Sequence, residues 1–499
     1  MRRLLASAAT LCLVALAAGC GGEDNSSGPL ESALSFVPKN TPFVIAIDTD
    51  LEGDQYKSLQ AVLDRFPGGI RLEDLLGGQL DGGEGVSFAK DVKPLLGNPF
   101  VVSATDVTSF LSDGDDDFVA VLEAKDSEAL DRLIKKTKPQ EQGEVAGATV
   151  YDDDGTVFAV KEETIVFGAS RPKLEAALER SDAGDGMDPD RFEDGLEGLP
   201  GEGLARLFFD VEGLLDTASA SDEDAKNARK IEWVRALRTL GMTVSAEDDS
   251  ANLEFNLKTE GDLTEEDLPV AAGEAAPPVV REEGEIGFGV RDPSQIVSFF
   301  EAALQAVAPQ DFGDYETAKQ VISQQLGVDL DDDVFAQLTE DMSVSVALEG
   351  SFGARVEVKS PDAFGDTVDK VAEVLPQIGS GLGVTGVSKD GELWVAELED
   401  GARLLFGMRN DVFVVAPDAA RARELGSQEP TAVEGAEGSL VMAADAEAVA
   451  LEVIDQLGPR LGLGGLLGGG LFARPLEDLS GSVSTSTEEM RGSFSLTLD

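Results

Sequence analysis

The sequence of 499 residues contains no histidine and only two cysteines, Cys12 and Cys20. Without imidazole, the chain cannot build a Ser-His-Asp or Cys-His catalytic arrangement, or the histidine ligands of most zinc and iron sites. GxSxG, P-loop and HExxH patterns are also absent from the sequence. We therefore expect a protein that is not an enzyme, with no catalytic residue, no cofactor and no metal.

Aromatic residues and positive charge are scarce as well. There are two tryptophans and three tyrosines, and 39 Lys and Arg face 96 Asp and Glu, which gives a formal net charge of −57. Such a surface repels phosphate backbones, so no nucleic-acid partner is expected. Few aromatic rings disfavour a sugar-binding groove. The abundance of carboxylates leaves one alternative open, a carboxylate-dependent hydrolase of the cell envelope.

The N-terminus carries an export signal. Arg2 and Arg3 precede an uncharged run that ends at Ala18, which is too short to span a bilayer but suits a signal peptide. The small residues before Cys20 resemble the lipobox of bacterial lipoproteins. We predict a signal peptide over residues 1–19, a lipidated Cys20 and a flexible tether over 20–35. The protein is then anchored in the cell membrane on its extracytoplasmic side.

The chain also repeats itself. Residues 85–104 align without gaps on residues 327–346, with seven identical positions of twenty. Next, the strand from Phe118 to Lys125 parallels that from Phe352 to Lys359, and an amphipathic helix follows each. Blocks in the same order indicate an internal duplication. We predict a first unit over 36–265, a Pro- and Ala-rich linker over 266–282 and a second unit over 283–499 that duplicates the first.

The repeated blocks also predict the fold class. A β-branched and aromatic strand runs from Phe43 to Ile47, and tight polar turns join strands at 157–168 and 404–415. Consecutive strands joined in this way form antiparallel sheets. Each unit is therefore predicted to be α+β, an antiparallel sheet with helices packed on one face.

Three segments resemble a known family: the lead from Val37 to Phe43, the block from Asp91 to Gly97 and the strand from Val121 to Lys125. Together they are similar to the bacterial domain-of-unknown-function family numbered 3352, found largely in exported actinobacterial proteins. The resemblance implies export and a common fold. It implies no catalytic or binding residues.

Three further motifs have both a functional and a purely structural interpretation. Gly381, Gly383 and Gly386 satisfy GxGxxG, but a helix precedes them and strands follow, unlike a dinucleotide site. Acidic clusters at 113–117, 152–155 and 329–333 lack the spacing of an EF-hand, and weak calcium binding stays open. The Gly- and Leu-rich stretch from Leu457 to Phe472 is either a loop or an apolar flap.

These observations favour a membrane-anchored lipoprotein of the cell envelope that acts as a binding or scaffold module. Its partners would be the membrane, through the lipid anchor, and an apolar small molecule or an envelope protein. The sequence identifies no specific ligand.

Overall fold

The computed structural model describes residues 27–80, 85–107, 110, 117–153, 155–347, 350–378, 383–452 and 470–499. The predicted signal peptide 1–19 and Cys20 lie outside these residues, as does most of the stretch from Leu457 to Phe472. The chain forms two compact units. The first contains the described residues up to Thr217, Arg238–Lys258 and Thr497–Asp499. The second contains Ala218–Leu237 and Thr259–Leu496.

The helices are numbered in chain order. Within the described ranges, the α-helices are α1 (Ser27–Leu34), α2 (Asp54–Asp64), α3 (Leu72–Leu80), α4 (Ser127–Thr137), α5 (Arg171–Ala183), α6 (Pro189–Gly195), α7 (Val211–Ser221), α8 (Glu223–Ala228), α9 (Glu232–Ala236), α10 (Pro293–Val307), α11 (Pro309–Leu326), α12 (Leu330–Asp333), α13 (Pro361–Ile378) and α14 (Ala419–Leu425). Shorter helical turns are Phe88–Val92, Lys93–Leu95, Glu265–Asp267 and Phe335–Gln337.

The strands, also in chain order, are β1 (Phe43–Ile47), β2 (Phe100–Ala104), β3 (Val119–Glu123), β4 (Gln140–Val145), β5 (Ala148–Asp153), β6 (Thr156–Lys161), β7 (Thr164–Gly168), β8 (Ala205–Asp210), β9 (Leu237–Glu247), β10 (Ser250–Thr259), β11 (Glu285–Arg291), β12 (Asp341–Ala347), β13 (Phe352–Glu357), β14 (Val384–Asp390), β15 (Leu393–Leu398), β16 (Arg403–Arg409), β17 (Val412–Ala416), β18 (Leu440–Asp445), β19 (Leu476–Thr485) and β20 (Glu489–Leu498).

The first unit is built on one sheet of neighbouring strands β4-β5-β6-β7-β3-β2-β1-β8-β9. Each of these pairings is antiparallel, and β10 continues the sheet beside β9. Strand β1 has the bounds predicted from the sequence. The antiparallel sheet with surrounding helices confirms the predicted α+β class.

The position of the helices corrects the sequence-based picture, which placed them on one face of the sheet. In β1, Val44 and Ala46 belong to a core that contains residues of α1, α5 and α6. Phe43, Ile45 and Ile47 belong to a second core that contains residues of α4. Strands buried on both faces are continuous apolar runs, and FVIAI in β1 is such a run. The sheet is therefore covered on both sides.

The second unit has neighbouring strands β14-β15-β16-β17-β13-β12-β11-β18-β19, again all antiparallel, with β20 beside β19. Its two faces also carry different helices. Phe364 and Val368 of α13 pack with Phe413 of β17, whereas Ala422 of α14 packs with Val414 of the same strand. The strand order follows that of the first unit, strand for strand.

The segment predicted as a linker, 266–282, contains buried apolar side chains. Leu268, Val270, Val279 and Val280 are each less than a tenth exposed. Val280 packs in the core beside α14, so this part of the segment contributes to the second unit. The domain boundaries themselves stay a prediction.

Candidate functional site

One face of the second sheet is apolar at every register-aligned position across four neighbouring strands. Residues directly opposite each other in an antiparallel pair place their side chains on the same face, with Cβ atoms about 4.5–5.5 Å apart. Following the registers of β18, β11, β12 and β13 gives twelve such positions. They are Leu440, Met442, Ala444, Ile286, Phe288, Val290, Met342, Val344, Val346, Phe352, Ala354 and Val356.

This apolar face is closed at one end and open at the other. Val290 and Val356 are buried at the end where Phe364 of α13 packs on Val356. At the other end Phe288 is 38% exposed, Val346 36% and Phe352 37%. We call the open end, comprising Ile286, Phe288, Val344, Val346 and Phe352, the open apolar patch. Apolar side chains in contact with water at neighbouring positions favour binding of an apolar partner.

The first unit has the corresponding positions covered. In β1 and β2, Phe43 pairs with Ala104 and Ile45 pairs with Val102. The corresponding pairs in β11 and β12 are Ile286 with Val346 and Phe288 with Val344. In the first unit, however, these four side chains are at most 5% exposed. The connection 105–118 between β2 and β3 brings Phe110 against Phe43, with ring centroids 5.5 Å apart.

A short connection in the second unit is one difference that accompanies the open patch. Only residues 348–351 join β12 to β13, whereas 105–118 join β2 to β3. Four residues are too few to supply a counterpart of Phe110 over the sheet. A second difference lies in the neighbouring strand: the ring of Phe209 packs on Phe43 with centroids 5.0 Å apart, whereas Ala444 takes the corresponding position beside Ile286. Within the described residues, the strands of the patch thus keep the apolar pattern of a buried face without these two rings.

The opposite face of β11 and β12 is held by a buried ionic network. Arg421 of α14 is 7% exposed, and its guanidinium lies 2.7 Å from Glu282 and contacts Glu285 and the hydroxyl of Ser345. Hydrogen bonding to Glu424, followed by burial, raises the pKa of Glu282 above its usual value despite the arginine. The network connects α14 to β11 and β12. It therefore fixes the distance between these two strands, whose other face carries the open apolar patch.

A second polar cluster holds the hairpin of α10 and α11. Lys319 Nζ lies 2.8–2.9 Å from carboxylate oxygens of Glu301, Glu316 and Asp331, which belong to α10, α11 and α12. Tyr315 donates a hydrogen bond of 2.8 Å to Glu301. Burial and this bond raise the pKa of Tyr315 to about 12. Burial lowers the pKa of Lys319, but its carboxylate partners outweigh that effect and raise it well above the usual value.

Helix α10 presents further apolar residues to solvent. Glu301 is its one charged residue, and Pro293 is its one buried side chain. Phe300 is 56% exposed and Ile296 36%. This surface lies on a helix rather than on the sheet, so the open apolar patch and α10 can be tested separately.

The predicted site residue Cys20 lies outside the described residues, and its lipidation stays a prediction. The acidic clusters are used locally where the structure describes them. Asp117 binds Lys173, Asp152 accepts a hydrogen bond of 3.0 Å from the amide of Gly155, and Asp329 caps α12. No group of three potential metal ligands occurs among the described side chains. Calcium binding stays a prediction.

The other two motifs can be located in part. Gly383 follows α13 and precedes β14, whereas Gly386 lies within β14. The sequence predicts a loop for the GxGxxG motif, and Gly386 corrects this, but the order of helix before and strand after is the one predicted and differs from that of a dinucleotide site. Residues 457–469 of the Gly- and Leu-rich stretch lie outside the described residues, and Leu471 is exposed.

Sequence reasoning missed the open apolar patch. A signal was present, because the repeated blocks align β2 with β12 and β3 with β13 and thereby reveal a shorter connection in the second unit.

None of the helices in the described ranges combines the length and hydrophobicity needed to cross a membrane.

Comparison with solved structures identifies proteins of low similarity. Crystal form III of TP0453 is 9% identical, the alignment covers 46% of this chain and 81% of that chain, and the TM-score is 0.26. Crystal form I of TP0453 is 12% identical, with 46% and 80% covered and a TM-score of 0.26. No curated protein matches the chain.

One protein-family model matches most of the chain. It is described as a protein of unknown function, DUF3352, and it matches residues 4–360, which is more than half of the sequence. This range includes the three segments, from Val37 to Lys125, that carry the resemblance noted in the sequence. The chain belongs to the DUF3352 family of proteins of unknown function.

Proposed function

We propose that the protein is a lipoprotein of the extracytoplasmic membrane face that binds a hydrocarbon ligand on the open apolar patch. A signal peptide over 1–19 and a lipidated Cys20 would hold it at the membrane. A diacylated cysteine carries two chains, which suffice for stable anchorage where one chain is marginal. The observation that carries the binding proposal is the exposed apolar surface on β11, β12 and β13.

The chemistry of the patch supports a hydrocarbon ligand. All twelve aligned positions are apolar, so no side chain at these positions would recognise a charged group. Elsewhere the chain is strongly acidic, with 96 Asp and Glu residues. An uncharged chain gains free energy of roughly 25 cal/mol per Å² of apolar surface buried, and no polar group is left unpaired. The uncovered part of the face gives such a chain access to Phe288.

The proposal is tested with dodecanol, an uncharged single-chain probe, and the chain from Gly21 to Asp499, which retains every described residue. Binding is measured by isothermal titration calorimetry below the solubility limit of the alcohol. Val346→Asp places a charge in the patch, and we expect affinity to fall at least roughly tenfold, because a buried carboxylate without a partner costs several kcal/mol.

The control is a matched pair of phenylalanines. Phe288→Ser removes an exposed ring from the patch, and Phe300→Ser removes an exposed ring from α10 in the same unit. We expect weaker dodecanol binding for the first variant and unchanged binding for the second. Equal effects of the two substitutions, or unchanged binding in Val346→Asp, would refute a ligand site on the patch.

The absence of enzymatic activity remains part of this proposal. The carboxylate-dependent hydrolase considered from the sequence stays the alternative prediction.

A further inference from the structure

The first unit contains a cleft between α2 and α3. Its volume is about 490 Å³, which lies within the range of small-molecule sites. The lining includes the apolar side chains Leu51, Tyr56, Leu72 and Leu76. The last three are buried in a cluster that also contains Phe88. The cleft therefore has an apolar floor supported by the core of this unit.

The walls of the cleft are tied together by one amide side chain. Gln60 of α2 donates a hydrogen bond of 3.0 Å to the carbonyl of Ile70 and accepts one of 2.9 Å from the amide of Leu72. These bonds join the middle of α2 to the first residue of α3. A ligand consequently meets a preformed cleft and does not have to order its walls.

The charged side chains of the cleft differ in their partners. Lys57 binds Asp54, Glu73 lies 2.6 Å from Lys93, and Asp64 accepts a hydrogen bond of 2.7 Å from Gln60. Arg71 is exposed at the cleft, and its charge, after that of Lys93, helps to lower the pKa of Glu73. Among the described side chains no carboxylate lies at ion-pair distance from the Arg71 guanidinium, so its donors face the cleft opening without a bound acid. In a chain of net charge −57, this guanidinium places a positive charge beside the apolar floor of the cleft.

We propose that this cleft binds a single-chain amphiphile with an anionic head group. Its hydrocarbon chain would lie on Leu51, Leu72 and Leu76, and its head group would accept hydrogen bonds from Arg71. The planar guanidinium offers two parallel donors to a carboxylate or a phosphate. This site is independent of the proposed function, since it occupies the first unit and selects for charge.

The acidity of the protein does not prevent such binding. At physiological ionic strength the screening length is about 8 Å, so carboxylates far from the cleft contribute little to its potential. Within the lining, Lys57 and Arg71 balance Asp64 and Glu73. Arg71, by contrast, would contact the head group at hydrogen-bond distance. The contact with Arg71 therefore contributes an attraction, and because Arg71 is exposed, added salt should weaken anion binding.

The test compares three probes with the same chain length: dodecanoate, dodecyl phosphate and dodecanol. Each is titrated below its critical micelle concentration into the chain from Gly21 to Asp499. We expect Arg71→Gln to weaken dodecanoate or dodecyl phosphate binding at least roughly tenfold, as expected for loss of a hydrogen bond to a charged group. Arg71→Lys should retain part of the affinity. The two anions identify whether a carboxylate or a phosphate is preferred.

Arg423→Gln is the matched control, because Arg423 is an exposed arginine of α14 that does not line the cleft. It should leave anion binding unchanged. The proposal is overturned if Arg71→Gln and Arg423→Gln behave alike, or if Arg71→Gln weakens dodecanol binding as much as it weakens dodecanoate binding. Loss of dodecanoate binding in Val346→Asp with no effect of Arg71→Gln would assign the anion to the open apolar patch instead.

Discussion

At the scale of single residues, the chemistry of this protein is set by a few charged and polar side chains in unusual surroundings. Arg421 and Lys319 are each buried among carboxylates. In both cases one cation connects separate elements: α14 with β11, and α11 with α10 and α12. These contacts are long-range in sequence, so no local pattern revealed them.

The first prediction concerns Cys20. Substitution by Ala removes the acceptor for the diacylglycerol, so the protein should appear in the medium or remain uncleaved in the membrane. Cell fractionation followed by mass spectrometry of the intact chain distinguishes the two forms. A Cys20→Ala protein of mature size that still fractionates with membranes would contradict lipid anchorage at this residue.

The second prediction concerns Tyr315, whose pKa is raised to about 12 by burial and by its hydrogen bond to Glu301. The chain has three tyrosines, so phenolate absorbance can be followed group by group. One tyrosine should ionise at a pH about two units higher than a free phenol does. In Tyr315→Phe this late step should disappear. If the late step persists in that variant, it belongs to another tyrosine.

At the scale of elements, the connections between strands contribute to the burial of apolar faces. The 105–118 connection supplies Phe110 as a cover in the first unit, and its two ends are fastened by one carboxylate. Asp117 accepts hydrogen bonds from the amides of Thr105 and Asp106 at 3.1 and 2.6 Å. It also binds Lys173 of α5.

The third prediction follows from this contact. Burial raises the pKa of Asp117, but hydrogen bonds from Lys173 and Thr105 outweigh it and hold the pKa below its usual value. The carboxylate therefore stabilises the fold above the pKa of an unfolded aspartate, and this contribution is lost as pH falls through the lower folded value. Asp117→Asn should cost roughly 1–3 kcal/mol at neutral pH.

Urea unfolding at several pH values measures this effect. The difference between wild type and Asp117→Asn should shrink in acid. Glu144→Gln removes one exposed carboxylate and is the control for the change in net charge. Fluorescence of an uncharged polarity-sensitive dye provides a second readout, because a loosened connection exposes Phe43. A pH-independent difference between wild type and variant would show that the charge of Asp117 does not matter.

At the scale of the whole molecule, the two units share one strand order, in agreement with the blocks that repeat in the sequence. We propose that they arose by duplication. As a fourth prediction, superposition of β1–β8 on β11–β18 in a crystal structure should place each strand in the same position and direction. A strand pair that differs in position or direction would contradict this origin.

The fifth prediction concerns ligand class. With no histidine and a charge of −57, ATP, NAD and zinc should not stabilise the protein. Dodecanol and dodecanoate should raise the unfolding temperature by a few degrees, since a ligand at a hundred times its Kd adds about 2.7 kcal/mol. Thermal-shift measurements decide this directly. A large stabilisation by a nucleotide or by zinc would contradict it.

The sequence by itself determined the family, the α+β class and several of the strands, among them β1, β6, β7, β16 and β17. Local apolar runs encode β1, and helical periodicity encodes α4, because both depend on neighbours in the chain. The export signal and Cys20 are also local patterns, and they remain predictions.

The tertiary structure alone decided which apolar residues are covered. Phe43 and Ile286 occupy corresponding register positions and are both apolar, yet only Phe43 is buried. Burial depends on side chains from elsewhere in the chain, here Phe110 of the 105–118 connection and Phe209 of β8. Likewise, the helices on both faces of each sheet and the exposed guanidinium of Arg71 beside its cleft depend on contacts that no local pattern encodes.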